Sequence, residues 1–209
     1  MSNYNLLGIS GFARSGKDSL AKNIKAQLER DGYVPKIYSL AHALKKDLEQ
    51  FLAEKCGLDV WTDDTRTKAK FRPLLVAYGK IQRERSAGTY WTSIIQKEME
   101  KDASEHTNGE FVSILADVRY ASYPDTDEVF WLKKLGGYLI NVNRISEDGL
   151  RVAPANNDEE ENSIIIERLA DYNLTWDSYR NVPEGFFEGP LLDAVKPLYS
   201  DILKWPDRT

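Results

Sequence analysis

Cysteine is almost missing from this chain of 209 residues: Cys56 stands alone, which excludes an intrachain disulfide. Histidine is nearly as scarce, and His42 and His106 with Cys56 are too few for a four-ligand zinc site. No apolar run approaches the roughly 20 residues that a membrane-spanning helix needs. Positive charge is not in excess either. With 28 Lys and Arg against 33 Asp and Glu the formal net charge is -5, which argues against a broad surface for DNA or RNA. No internal repeat or low-complexity tract interrupts the pattern. The N-terminus runs directly into a strand-like segment, leaving no room for a signal peptide, so the cytoplasm is the expected location. What these absences leave is a soluble chain long enough for one substantial core, a single domain over 1–209 with insertions.

Against that plain background one stretch organises the rest. Gly11-Phe12-Ala13-Arg14-Ser15-Gly16-Lys17-Asp18 matches the phosphate-cradling pattern G-x-x-x-x-G-K-[ST] in every position but the last. Residues 4–10 before it read as a buried strand. After it, Leu20, Ile24 and Leu28 recur at helical spacing. Strand, glycine-rich loop and helix is the context the motif requires. The glycines let successive backbone N–H groups turn inward, the helix N-terminus adds partial positive charge, and Lys17 reaches the outer phosphates. The loop residues Gly11, Ala13, Arg14, Ser15, Gly16, Lys17, Asp18 and Ser19 are therefore the candidate ATP phosphate site. At Asp18 a carboxylate replaces the usual hydroxyl; it is a hard oxygen ligand suited to Mg²⁺, and equally a favourable charge at a helix N-terminus.

Downstream, strands and helices alternate. A short strand over 36–40 precedes a helix over 43–55 bearing Leu44, Leu48, Phe51 and Leu52 on one face. A polar loop at 61–67 leads to a helix over 68–82. Arg72, Arg83 and Arg85 lie in or just after that helix, spaced to converge on a phosphate or to stay solvated. A helix from Thr89 to about residue 101 carries Trp91, Ile94, Ile95 and Met99 as its apolar stripe, so Trp91 reads first as core. Residues 111–116 form a continuous apolar run suited to a central parallel strand, ending in Asp117-Val118-Arg119. A helix from Asp125 stops at Gly136-Gly137, and a strand over 138–142 ends in Asn143-Arg144. Residues 145–162 look mobile and exposed, with 158–161 a solvated acidic face, and suit a lid. A strand at 172–176 and a helix at 191–203 close the chain. In open α/β sheets ligands bind at the carboxyl ends of strands, which gathers the loop, Ser39 to His42, Asp117, Arg119 and Arg144 at one edge. The expected fold is α/β: a P-loop NTPase fold, a parallel sheet flanked by helices, with a lid over 145–162 and a helical insertion over 43–103.

Residues 11–19 resemble the loop of the bacteriophage deoxynucleoside monophosphate kinases, which typically reads Arg-Ser-Gly-Lys-Asp followed by Thr. Arg72-Pro-Leu-Leu-Val-Ala-Tyr-Gly79 with Tyr90-Trp91 is similar to that family's central segment. Asp117-Val118-Arg119 resembles its Asp-x-Arg, and residues 135–144 its Gly, strand and Arg. The resemblance covers about the first 145 residues, in the family's order. Trp176 stands where the family usually has Asn.

The resemblance implies transfer of the ATP γ-phosphoryl group to a deoxynucleoside 5′-monophosphate, with Mg²⁺ as cofactor and the host cytoplasm as location. It places Lys17, Arg14, Asp117, Arg119 and Arg144 in the catalytic set, Arg72, Arg83, Arg119 and Trp91 on the acceptor side, and Asp18 and Asp117 near the metal. Relatives of this kind are often dimers, so a homodimer is implied, with no membrane or polynucleotide partner. Two other readings share the loop: a P-loop kinase for another small molecule or modified nucleotide, and a nucleotide-hydrolysing switch or assembly factor.

Overall fold

The computed structural model describes residues 5–106, 111–154 and 157–177. The helix expected at 191–203 lies outside them. The elements in order are β1 (Asn5–Gly11), α1 (Lys17–Arg30), β2 (Val34–Tyr38), α2 (Leu40–Cys56), α3 (Thr65–Arg85), α4 (Thr89–Ser104), β3 (Phe111–Val118), α5 (Glu128–Lys134), β4 (Tyr138–Ile145), α6 (Asn157–Leu169) and β5 (Tyr172–Asp177). The strands form one parallel sheet in the order β2-β3-β1-β4-β5. The strand that feeds the phosphate loop is thus central. Register then decides what surrounds the loop: Ser10 pairs with Val118 on one side and Gly11 with Val142 on the other. The carboxyl ends of β3 and β4 therefore flank the loop at its own level.

Each sheet face has its own core. Leu20, Ile24 and Leu28 of α1 pack on Leu7, Ile9, Ile114 and Ile140, all at most 1% exposed. Burying each such side chain stabilises the fold by roughly 1.5–3 kcal/mol. The opposite face carries Trp91, Ile95 and Met99 of α4, Val129 and Leu132 of α5, and Ile166 of α6. Every residue of β3 is buried, the pattern of a strand covered on both faces. A smaller cluster of Leu52, Val60 and Phe71 holds α2 to α3. Asp47 on α2 accepts hydrogen bonds from the Tyr78 and Tyr90 hydroxyls, tying α2, α3 and α4 into one helical layer between β2 and β3.

The structure shifts several expected boundaries, each for a local reason. β2 ends at Tyr38 because Ser39 turns to cap α2, its hydroxyl accepting from the His42 N–H. Pro35 is tolerated because β2 is an edge strand. α5 starts at Glu128 because Asp127 is its N-cap. The segment over 145–162 is more ordered in pattern than its composition suggested. β4 runs on to Ile145, Ile145 bridges back to Arg151, and α6 begins at Asn157.

Candidate active site

Gly11 leaves β1 with φ +143°, and a Cβ there would lie 2.4 Å from the Val142 carbonyl oxygen. Gly16 has φ +92°, and a Cβ there would lie 1.9 Å from the Trp176 ring. Both positions thus exclude any side chain, by conformation and by space. Arg14 also takes a left-handed conformation at φ +65°, and it is exposed. Lys17 is buried, its Nζ donating to the carbonyls of Gly11 and Phe12 at 2.7 Å each. Burial first, and then the Arg119 charge, lower its pKa to about 8; Glu159, Asp18 and Asp117 oppose that shift. Ser15 Oγ is buried within the loop with no hydrogen-bond partner among the described residues. Asp18 is exposed in the first turn of α1, beside Ser19.

At the end of β3, Asp117 faces the start of α2 rather than open solvent. Its carboxylate accepts from Ser39 Oγ at 2.8 Å and from the Leu40 and Ala41 N–H groups at 2.9 Å. Three of its roughly four lone-pair sites are taken. These bonds let Asp117 hold the start of α2 against the end of β3. The chain from Arg119 to Thr126 is then fixed by three buried side chains. Glu128 accepts from the Arg119 and Tyr120 N–H groups, Asp127 from those of Ser122 and Tyr123, and Asn162 from the Ala121 N–H and the Ser122 hydroxyl. Arg119 itself stays 43% exposed at the loop.

The acceptor-side candidates separate. Arg83 Nη2 pairs with fully buried Asp127 at 3.2 Å, and the guanidinium lies 3.4 Å from the Tyr120 ring centroid. Its charge is spent on the wall of the site. Trp91 is 4% exposed, edge-on to Tyr78 and Tyr90, and packs in the core cluster of the helical layer. Arg72 is exposed on α3. His42 lies tilted against Trp61, with ring centroids 4.6 Å apart and the planes 39° from parallel.

On the β4 side, Arg144 Nη1 donates to the Arg14 carbonyl at 2.9 Å, so β4 clasps the loop directly. Three contributors escaped the sequence reading. Glu159, in the acidic run expected to be solvated, is only 11% exposed and lies 4.0 Å from Arg119. Arg151 lies 4.9 Å from the Phe12 ring. Trp176 of β5 presses on Gly16. The crevice between α6 and the loop, lined by Phe12, Arg119, Glu159 and Ser163, has a volume of about 10 Å³, room for one water.

Central strand, left-handed glycines, buried lysine and flanking strand ends leave one architecture. This is a P-loop α/β fold. No protein-family model matches the chain, and no curated protein matches it. Among solved structures it is similar to shikimate kinase from Acinetobacter baumannii in complex with shikimate, at 10% identity and a TM-score of 0.40, over 95% of this chain and 94% of that one. A likeness at that level says nothing of the acceptor. The P-loop assignment rests on the sheet order and the loop.

The residues also fit a magnesium ion of the kind such loops use. No group of three or more His, Cys, Asp or Glu able to hold a metal occurs among the described residues. Mg²⁺ bound with phosphates needs no such group, since one or two carboxylates, phosphate oxygens and waters suffice. Asp18, exposed at the head of α1, suits that part. No described helix is long and apolar enough to cross a membrane.

Proposed function

We propose that this chain is a kinase that transfers the γ-phosphoryl group of ATP to a deoxynucleoside 5′-monophosphate, giving the diphosphate and ADP. The observation that carries the reading is the register that sets Arg119 and Arg144 on either side of the loop holding Lys17. Phosphoryl transfer of this kind needs positioning and positive charge around the transferring oxygens more than covalent chemistry. Two arginines at strand ends and the lysine at the head of α1, around one loop, meet that need.

In this reading the loop N–H groups and the α1 N-terminus hold the donor β- and γ-phosphates. The Lys17 ammonium exchanges its two carbonyl partners for phosphate oxygens. Arg14 and Arg144 neutralise charge on the donor side. Arg119, on its rigid loop, faces both donor γ-phosphate and acceptor phosphate. Arg72 is the remaining acceptor-side cation, while Arg83 acts at one remove by fixing Asp127 and the 119–126 loop. The acceptor phosphate has a second pKa of about 6 and is mostly dianionic at neutral pH, so it attacks without a general base. Asp18 would hold Mg²⁺, which would supply charge neutralisation at the donor phosphates. The helical layer of α2, α3 and α4 forms the acceptor wall, and α6 acts as the lid.

The test is coupled ADP release with Mg·ATP against a panel of deoxynucleoside and ribonucleoside monophosphates, with Lys17→Ala as control. Turnover stimulated by deoxy acceptors and lost in the control is the expected result. Turnover by another phosphorylated acceptor alone would move the assignment within the kinases. Rates that stay flat across the panel would sink the reading and leave a slow ATP-hydrolysing switch.

A further inference from the structure

The indole of Trp176 lies against the phosphate loop at its outermost glycine. A Cβ on Gly16 would meet Trp176 Cζ2 at 1.9 Å and Cη2 at 2.5 Å, so ring and backbone are in direct contact. Parallel pairing sets Trp176 beside Arg144, and Arg144 is itself bonded to the Arg14 carbonyl. The strand alternation fixes the face. Tyr172, Leu174 and Trp176 pack with the α1-side core, whereas Asn173 turns the other way and accepts from Asn141. Trp176 is only partly buried. The indole is therefore partly open to solvent while its six-membered ring lies against Gly16 at the head of α1.

In-line transfer decides which side of the loop this is. Entering and leaving oxygens lie on opposite sides of the transferring phosphorus. The acceptor wall, α2 to α4, is joined to the β2–β3 side of the sheet, where Asp117 of β3 bonds the start of α2 and Arg119 follows. The donor's nucleoside must then leave toward β4 and β5, where Arg144 and Trp176 stand. A partly exposed indole at that point matches the π-face that every base presents.

We propose that Trp176 is the residue on which the base of the donor nucleotide stacks, a binding determinant for the nucleoside half of ATP beyond the loop itself. The inference rests on the donor-site reading above. Stacking of a base on an aromatic side chain strengthens binding by roughly tenfold or more.

Trp176 also touches the loop, so a plain loss of ATP affinity in a variant would not separate stacking from loop support. Inorganic tripolyphosphate does separate them, because it carries the phosphates without a base. Calorimetric titration with Mg·ATP and with Mg·tripolyphosphate is carried out on wild type, Trp176→Ala, Trp176→Phe and Lys17→Ala, each checked for folding by thermal melting. Trp176→Ala should weaken ATP about tenfold and leave tripolyphosphate within about twofold. Trp176→Phe should recover most of the ATP affinity, and Lys17→Ala should weaken both ligands. Equal loss of both ligands in Trp176→Ala would overturn the proposal and make Trp176 a support for the loop. Unchanged ATP affinity would overturn it as well. Wild type that binds neither ligand would overturn the donor-site reading itself.

Discussion

Glu159 Oε1 lies 4.0 Å from Arg119 Nη1, so α6 sets a carboxylate against one cation of the phosphate site and close in charge to Lys17. If the proposed function holds, that carboxylate competes with phosphate oxygens for Arg119. With about 10 Å³ left between α6 and the loop, α6 must shift before a phosphate enters on that side. Glu159→Gln removes the competing charge. We expect its KM for ATP to fall by about two- to fivefold with kcat little changed, since the pair is partly solvated and weak. Steady-state kinetics at several ATP concentrations checks this; a tenfold rise in KM would instead put Glu159 on the productive side of the site.

Lys17 sets a pH limit. Its folded pKa of about 8 lies below the ordinary lysine value, with burial the largest cause. The ammonium that meets phosphate is present below that value and lost as pH rises through it. The kcat/KM for ATP should therefore bend downward near pH 8 and fall about tenfold per unit beyond it. In Glu159→Gln the bend should move to lower pH, because Glu159 helps keep the proton on Lys17. A pH profile flat to pH 10 in wild type would contradict this.

Arg83 is a test of stability against binding. Its partner Asp127 is 0% exposed, and Arg83→Ala leaves that carboxylate buried without its cation. Such a loss costs about 3–5 kcal/mol. Chemical denaturation of Arg83→Ala should show it, and Arg83→Ala with Asp127→Asn should recover part. A variant of unchanged stability with a raised acceptor KM would return Arg83 to direct acceptor contact.

Glu128 is fully buried, and burial followed by the Asp127 charge pushes its pKa up to about 8. An acid with a raised folded pKa contributes its stability below the unfolded value and loses it as pH climbs through the folded one. Here that window runs from about pH 4.5 to about pH 8. Glu128→Gln keeps a carbonyl to accept from the Arg119 and Tyr120 N–H groups and has no charge to bury. Its stability relative to wild type should improve steadily from pH 5 to pH 8 in urea titrations. A constant difference across that range would show that Glu128 does not titrate there.

Local chemistry was legible and distant pairing was not. Gly11, Gly16 and Lys17 announce the loop because their work is done within a few residues. The apolar run at 111–116 gives a central strand for the same reason. Arg83 reads as a free cation because its partner Asp127 lies 44 residues on. The acidic run at 158–161 looks solvated because Asp158, Glu160 and Glu161 are; only Glu159 turns inward. Asn162, one turn on, is equally silent in sequence, yet it holds Ala121 and Ser122. Pro154 with the asparagines after it suggests a loop, yet α6 begins at the second of them, Asn157.

The bonds from Asp117 to Ser39, Leu40 and Ala41 fasten α2 at its first turn only. A lever pinned at one end sweeps least there and most at its tip. Because α4 packs on the sheet through Trp91, Ile95 and Met99, and Arg83 holds the end of α3 to Asp127, any swing is confined to α2 and the start of α3 and displaces the region around Leu52, Val60 and Phe71 most. Substitutions near that tip can therefore reshape what the layer embraces while the phosphate end keeps its alignment, so selectivity and turnover are free to drift separately in this scaffold.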